Sequence, residues 1–264
     1  MTAIRKSSFD TVTELPGNKA HIEQIDAMRT RYEWASQYCV NKDVLEIACG
    51  AGIGLGLLAS KARSVIGGDL DLNVLQYGKD HFHNHNRIQV KELDACNLVM
   101  DDASVDVAIC FEATYYFPSL ETFLTEVRRI LRPGGIFLCS SVNSQWHGFN
   151  PSPYSHQYHT IEQMNQALEK AGFTSEFFTC FEDDPKSLKR RLIGSVRKIA
   201  IALKLVPKTM KGKELLKKIF YGKLDPLPSE MTSAHGKAYS LTRFEEVDHV
   251  ENFKFYYFCA RKSS

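Results

Sequence analysis

No apolar run among the 264 residues approaches the roughly 20 residues that a membrane-spanning helix needs. The first residues, MTAIRKSSFDTVTELPG, lack the apolar core of a signal peptide, so secretion is not expected. There is no internal repeat and no low-complexity tract. The seven cysteines include no C-x-x-C pair, are odd in number, and mostly sit inside apolar runs. That argues against a disulfide framework or a zinc knuckle and for a reducing cytosol. The dinucleotide fingerprint G-x-G-x-x-G is missing as well. Counted from Gly50 its third glycine is Leu55, and counted from Gly52 it is Leu57.

What is present is an ordinary globular composition, 44% hydrophobic and 24% charged, in a chain long enough for one large domain or one domain with an insertion. The net charge of +2 hides an asymmetry. Residues 186–223 hold 13 Lys/Arg and one acid, Glu214, a balance of +12, which leaves −10 on the rest.

From residue 43 onward, strand-like and helix-like runs alternate. Strands are expected at 44–48, 64–68, 88–93, 105–111 and 135–142, and helices at 55–61, 73–81 and 120–131. Such alternation implies right-handed crossovers and a parallel sheet. A helix is expected over 18–38, on the spacing of Ile22, Ile25, Met28, Tyr32 and Ala35, and another over 161–171, stopped by Gly172. Two last strands, 173–181 and 252–260, enclose a 69-residue stretch. Structureless loops this long are rare, and Leu188 to Leu203 and Lys213 to Phe220 carry helical patterns, so a helical insertion is expected there. The division is an N-terminal helical cap (1–40), an α/β domain (41–181), a basic helical insertion on the substrate side (182–250) and a final strand (251–264).

The central motif is Val44-Leu45-Glu46-Ile47-Ala48-Cys49-Gly50-Ala51-Gly52-Ile53-Gly54, a strand running into a glycine-rich turn and then a helix. Small residues there either let the backbone approach a ligand at the carboxyl end of a strand or only serve a packing turn. Acids stand at the ends of the following strands. Asp69 is placed to accept ribose hydroxyls, and Asp94 to meet an exocyclic amine while the Ala95 amide meets a ring nitrogen. The next strand ends Cys110-Phe111-Glu112-Ala113-Thr114-Tyr115-Tyr116.

Together with Val65-Ile66-Gly67-Gly68-Asp69, Leu93-Asp94-Ala95, Ser104-Val105-Asp106-Val107 and Leu131-Arg132-Pro133-Gly134-Gly135, these segments resemble the class I S-adenosylmethionine-dependent methyltransferases over residues 40–142 and the closing strands. The resemblance implies a doubly wound, seven-stranded, mostly parallel α/β sheet with a helical insertion before its last strand. It also implies S-adenosyl-L-methionine as cofactor, with Glu46, Ala48, Gly50, Gly52, Asp69, Leu70, Asp94, Ala95 and Phe111 around it. Residues 21–35, 150–155 and 207–216 further resemble bacterial methyltransferases of glycan and polysaccharide gene neighbourhoods.

The expected reaction is methylation of a hydroxyl on a glycan, glycolipid or other small metabolite. RNA or protein methylation, or a non-catalytic cofactor-binding scaffold, are the alternatives. A hydroxyl needs a base, and candidates are His156 and His147, with His159 on the same loop, and Glu112. Tyr115 and Tyr116 are expected to wall the substrate site. The run His81-Phe82-His83-Asn84-His85 has metal-like spacing, but no acid or cysteine accompanies it, and no metal is expected. The basic segment 186–223 suits an anionic membrane surface, its aromatics Phe220 and Tyr221 being too few for nucleic acid. A cytoplasmic location, peripheral to the inner face of the membrane, goes with that reading.

Overall fold

The computed structural model describes residues 13–183 and 223–263. The two helices expected at 188–203 and 213–220, and with them most of the basic segment, lie outside the described residues. In chain order the elements are β1 (Lys19–His21), α1 (Ile22–Ser36), β2 (Asp43–Ile47), α2 (Leu55–Ala59), β3 (Ser64–Asp69), α3 (Leu72–Phe82), β4 (Ile88–Glu92), β5 (Val105–Phe111), α4 (Leu120–Ile130), β6 (Leu131–Val142), α5 (Ile161–Lys170), β7 (Phe173–Glu182), β8 (Leu224–Pro226), β9 (Thr242–Arg243) and β10 (Phe253–Lys262).

The main sheet runs β4-β3-β2-β5-β6-β10-β7-β9. Strands β4 to β6 are parallel, and β10 is antiparallel to both neighbours. The seven expected strands are all present. The two-residue β9, paired to β7 through Phe178 and Thr179, adds an eighth at the edge. Because β7 points the same way as β6, the carboxyl ends of β2 to β7 and the start of β10 share one end of the sheet, the top.

Apolar residues cover both faces of the sheet, as a central parallel sheet requires. Helices α1, α2 and α3 bury Met28, Tyr32, Leu55, Leu58, Leu75 and Phe82 on one face. On the other, α4 and α5 bury Phe123, Leu124, Val127, Met164 and Leu168 against Phe137, Tyr256 and Phe258. Local chemistry sets the helix starts. The Asp71 carboxylate accepts the Asn73 N–H, Ser119 Oγ that of Thr122, and Thr160 with Gln163 forms a reciprocal capping box. Strand β6 begins four residues earlier than expected. Leu131 already pairs with Val105, and the chain then bulges through Pro133 and Gly134 (φ +69°) before Ile136 pairs with Val107.

The N-terminal cap departs from the expectation in two ways. Lys19–His21 is extended and pairs with β8, so the helix starts at Ile22, whose side chain is 55% exposed and outside the core. The outer side of α1 is also covered. Residues 227–239 of the insertion cross it as a strap containing buried Leu227 and Met231. Asp26 accepts the Lys237 N–H (2.7 Å) and the Tyr239 hydroxyl (3.3 Å), Thr30 Oγ1 accepts the Tyr239 N–H (3.1 Å), and Arg29 donates to the Thr232 carbonyl (2.5 Å). These partners allow α1 to bury polar side chains on that side. The described part of the insertion, 223–250, is built of this strap, short strands and 3₁₀ turns.

Candidate active site

The turn after β2 is wound through the left-handed region. Ala48, Gly50 and Gly52 have φ of +58°, +58° and +74°. Gly50 and Gly52 adopt it freely, whereas Ala48 holds it against its own Cβ, a cost of about 1–2 kcal/mol. The turn is also spatially tight. A Cβ on Gly50 would lie 3.0 Å from Thr13 Cγ2, and one on Gly54 would lie 1.9 Å from the Tyr32 ring. On its far side the strap reaches it, through the Met231 N–H donated to the Ile53 carbonyl (2.6 Å).

Asp69, at the tip of β3, ties this turn to the next. One carboxylate oxygen accepts the Gly50 N–H (2.8 Å) and the other the Asp71 N–H (2.9 Å), and the Leu70 N–H also acts on the carboxylate, which leaves part of its acceptor capacity for a further donor. Burial raises its pKa above the usual carboxylate value. Leu70, beside it, is 56% exposed, an apolar side chain left uncovered next to a polar anchor. Asp94 stands exposed after β4 and accepts the Cys96 N–H (2.9 Å), while Ala95 is buried.

Under the turn lies Glu46, only 1% exposed. Its Oε1 accepts the Tyr32 hydroxyl at 2.7 Å, and its Oε2 has no partner among the described residues. Burial pushes this carboxyl up to about 7. Tyr32 also meets Phe111 edge-on at 5.3 Å between ring centroids, so α1 closes over the ends of β2 and β5.

Glu112 follows Phe111 in the left-handed region, φ +55°. Its N–H donates to the Ser140 carbonyl (2.9 Å) and its Oε1 accepts the Ser140 hydroxyl (3.0 Å). Burial drives it to about 7 as well, although Arg31 opposes the rise. Arg31, buried on α1, forms an ion pair with Glu14.

The remaining expected site residues lie beyond Glu112. Tyr115 is buried and stacks on Tyr158 at 4.4 Å. Tyr116 meets Tyr115 at 4.6 Å and its hydroxyl donates to Ser152 (3.3 Å). The loop bearing the histidines is tied to this cluster, since the His156 N–H donates to the Tyr115 carbonyl (2.8 Å). The His147 N–H instead donates to the Glu251 carbonyl (3.1 Å). The His147 and His156 side chains are exposed, and half-buried His159 has its pKa lowered by burial. Beside the ends of β7 and β10 an open groove of about 500 Å³ is lined by Phe181, Tyr239, Glu246, Asp248, His249 and Phe253. Its volume is in the range of small-molecule sites. On the far flank His81 pairs with Glu230 (2.9 Å) and His83 with the Asp80 carbonyl (2.8 Å), so the histidine run serves the strap and its own helix end.

Sequence reasoning singled out neither Arg31, Tyr32 and Glu14 nor the strap as part of this site. Tyr32 was legible only as one more apolar position of a helix, and its partner Glu46 lies on another element.

S-adenosylmethionine carries an ammonium, a sulfonium, a ribose diol and an adenine. The residues present fit it: a buried carboxylate with an unused oxygen (Glu46), a turn with no side chain to spare room for (Gly50, Gly52), spare acceptor capacity on Asp69, and the uncovered Leu70 followed by Asp94 and Ala95.

Comparison with known proteins agrees. Residues 45–139 match the methyltransferase domain family. The chain is 33% identical over 149 residues to a "Probable S-adenosylmethionine-dependent methyltransferase" of Mycolicibacterium smegmatis, covering 55% of this chain and 57% of that one. It is 35% identical over 107 residues to a fatty-acid O-methyltransferase of the same organism, covering 40% and 39%. The chain thus spans about half the length, or less, of these curated relatives. The YcgJ protein of Bacillus subtilis shares the fold, with a TM-score of 0.56 at 13% identity over 92% of this chain and all of that one. Residues 45–139 thus match a methyltransferase domain, and the chain is similar over about half its length to S-adenosylmethionine-dependent methyltransferases.

Proposed function

We propose that the protein is an S-adenosylmethionine-dependent O-methyltransferase whose acceptor is a hydroxyl of a glycan, glycolipid or other small metabolite. The observation that carries this reading is Glu112. It sits at the end of β5 in a backbone conformation that costs about 1–3 kcal/mol, a kind of strain that clusters at functional sites. Ser140 holds one carboxylate oxygen, and the other meets no donor among the described residues. With a pKa near 7, it is suited to take a proton at neutral pH.

When bound, the cofactor supplies a methyl group on a sulfonium, open to in-line displacement that leaves a neutral thioether. Glu46, Gly50, Gly52, Asp69, Leu70, Asp94 and Ala95 would hold it. Glu112 takes the hydroxyl proton at its free oxygen as the acceptor's O–C bond forms. Tyr115 and Tyr116 wall the acceptor side, and the groove beside β7 and β10 gives room for the rest of the molecule. Alignment of nucleophile and donor by such a site is worth about 7–11 kcal/mol. His156, on the loop tied to Tyr115, is the second candidate for the base, and His147 the third; both imidazoles are exposed to solvent, which disfavours them against Glu112.

The O-methyl product of the fatty-acid relative supports a lipid-linked acceptor, and the 13 bases of residues 186–223 support an anionic membrane surface as partner. Among the described residues no helix is long and apolar enough to cross a membrane. The test is an intact-mass screen of glycans, glycolipids and fatty acids incubated with the protein and S-adenosylmethionine. Gain of one methyl group on a hydroxyl supports the reading. Methyl gain only on an amine, RNA or protein overturns it, and no methyl gain with any candidate favours a scaffold.

A further inference from the structure

We propose that Arg31, on the N-terminal helix, binds the carboxylate of S-adenosylmethionine, so that the two charges at the amino-acid end of the cofactor meet two buried charges of opposite sign, Glu46 and Arg31. The inference rests on the reading of the glycine turn as the cofactor site. Besides its ammonium, sulfonium, ribose and adenine the cofactor carries an α-carboxylate. Glu46, Gly50, Gly52, Asp69, Leu70, Asp94 and Ala95 offer no cation to receive it. Among the described residues Arg31 is the one buried lysine or arginine, at 9% exposure.

Two chains of contact place Arg31 at the turn. On one side its guanidinium carbon lies 5.6 Å from the centre of the Tyr32 ring. That ring fills the space where Gly54, at the end of the turn, lacks a Cβ, and its hydroxyl donates to Glu46 beneath the turn (2.7 Å). On the other side Nη2 donates to Glu14, which Gln24 also holds (3.1 Å). Thr13, the residue before Glu14, covers Gly50, whose Cβ would lie 3.0 Å from Thr13 Cγ2. The same charge acts on Glu46 and on Glu112, as expected of a group between the turn and the end of β5.

The neighbouring cations are otherwise engaged. Arg29 spends two nitrogens on Glu33 and the Thr232 carbonyl, and Lys254 of β10 lies over the Trp146 and Phe255 rings. Arg31 makes a single hydrogen bond, from Nη2, and its enclosed Nε has no partner among the described residues. A cation this deep is costly unless anions around it use it. Glu14 uses one nitrogen, and a planar carboxylate matches what the fork of N–H donors has left.

The test compares two ligands that differ only in this group, S-adenosylhomocysteine and its decarboxylated form, which keeps the ammonium. Calorimetry on the wild-type protein should show S-adenosylhomocysteine bound at least about tenfold more tightly, as a charge-assisted contact gives. Arg31→Gln should weaken S-adenosylhomocysteine by about that factor and leave the decarboxylated form within about twofold, so that the ratio falls toward one. Arg31→Lys, a point charge without the fork, should give an intermediate ratio. A purely structural arginine would cost both ligands equally, and an equal loss, or a ratio that Arg31→Gln leaves at the wild-type value, overturns the inference. Equal affinity of the wild type for the two ligands overturns it whatever the variants do. If Arg31→Gln does not fold, Arg31→Lys decides: a smaller ratio than wild type supports the inference and the same ratio overturns it. Wild-type protein that binds neither ligand removes the cofactor site itself, whereas an unchanged ratio removes only Arg31 from it.

Discussion

At the foot of the sheet, Asp43 and Asp106 stand at the starts of β2 and β5 between Arg63 and Arg132. Arg63 grips Asp43 with two nitrogens, Arg132 reaches both acids at 3.1 and 3.0 Å, and the Asp43 N–H donates to Asp106 (2.8 Å). The Arg63 hydrogen bond holds Asp43 far below the usual carboxylate range. Asp106 is lowered too, because the Asp43 N–H and Arg132 outweigh its burial. At the top, Glu46, Asp69 and Glu112 end the same or neighbouring strands, and burial raises all three. Only two residues of β2, Val44 and Leu45, separate an acid kept charged from one pushed to about 7. The foot supplies each acid with cations and water and so only fastens strands. At the top, burial outweighs the cations that reach the acids, Arg31 at Glu46 and Glu112 and Lys254 at Glu112. Unpaired, buried acids beside a turn with room for a ligand are what a binding site needs and what stability alone does not select.

The sharpest way to break the top without touching a charge is Gly54→Ala. Its Cβ would enter the Tyr32 ring, so α1 must move off the sheet. A loss of about 2–3 kcal/mol in urea unfolding is expected, as for overpacking of a rigid core, together with weakened S-adenosylhomocysteine binding.

Next in size is the pH dependence. A carboxyl raised in the folded state ionises later than in the unfolded chain, so stability falls as pH climbs from about 4.3, the unfolded value, toward 7, then levels off. Between pH 5 and pH 8, Glu46→Gln should flatten that decline by on the order of 2–3 kcal/mol, about two pH units of it at 1.36 kcal/mol per unit. Urea midpoints at pH 5 and pH 8 that diverge equally in wild type and variant would remove Glu46 from the account.

Asp43→Asn probes the opposite end with the opposite sign. The stabilisation of a lowered acid is fully present above about pH 4, the unfolded value, and is lost progressively as pH falls from there toward the lower folded value. Arg63 is 59% exposed, so the loss at pH 7 should be about 1 kcal/mol or less and shrink in high salt. Smallest is Ala48→Gly, which relieves the left-handed strain at the cost of chain entropy. A gain of about 0.5 kcal/mol is expected from those opposing terms, seen as a slightly higher melting temperature.

Strand β5 spans the residues that its apolar run indicates, Val105–Phe111, because a strand buried on both faces leaves an apolar signature broken here only by Asp106 at its foot. The places of the glycine turn, Asp69 and Asp94 were legible for a related reason, since each follows a strand end that the apolar runs mark. What escaped was assembled across the chain. Asp26 and Lys237, Thr30 and Tyr239, and Arg29 and Thr232 are more than 200 residues apart in sequence. No periodicity encodes such contacts, so the strap over α1 had no local signal. Ile22 misled for the converse reason: its spacing matched a buried face, but the pairing of β1 with β8 set the helix start and left it in solvent.

The most direct test is calorimetry of S-adenosylhomocysteine binding to the wild-type protein and to Asp69→Ala. The wild type should bind it in preference to NAD. The variant, losing two charge-assisted hydrogen bonds worth about 1.5–3 kcal/mol each, should bind at least about 100-fold more weakly. Equal affinity in the two proteins, or binding of NAD instead, would contradict a cofactor site at the top of the sheet.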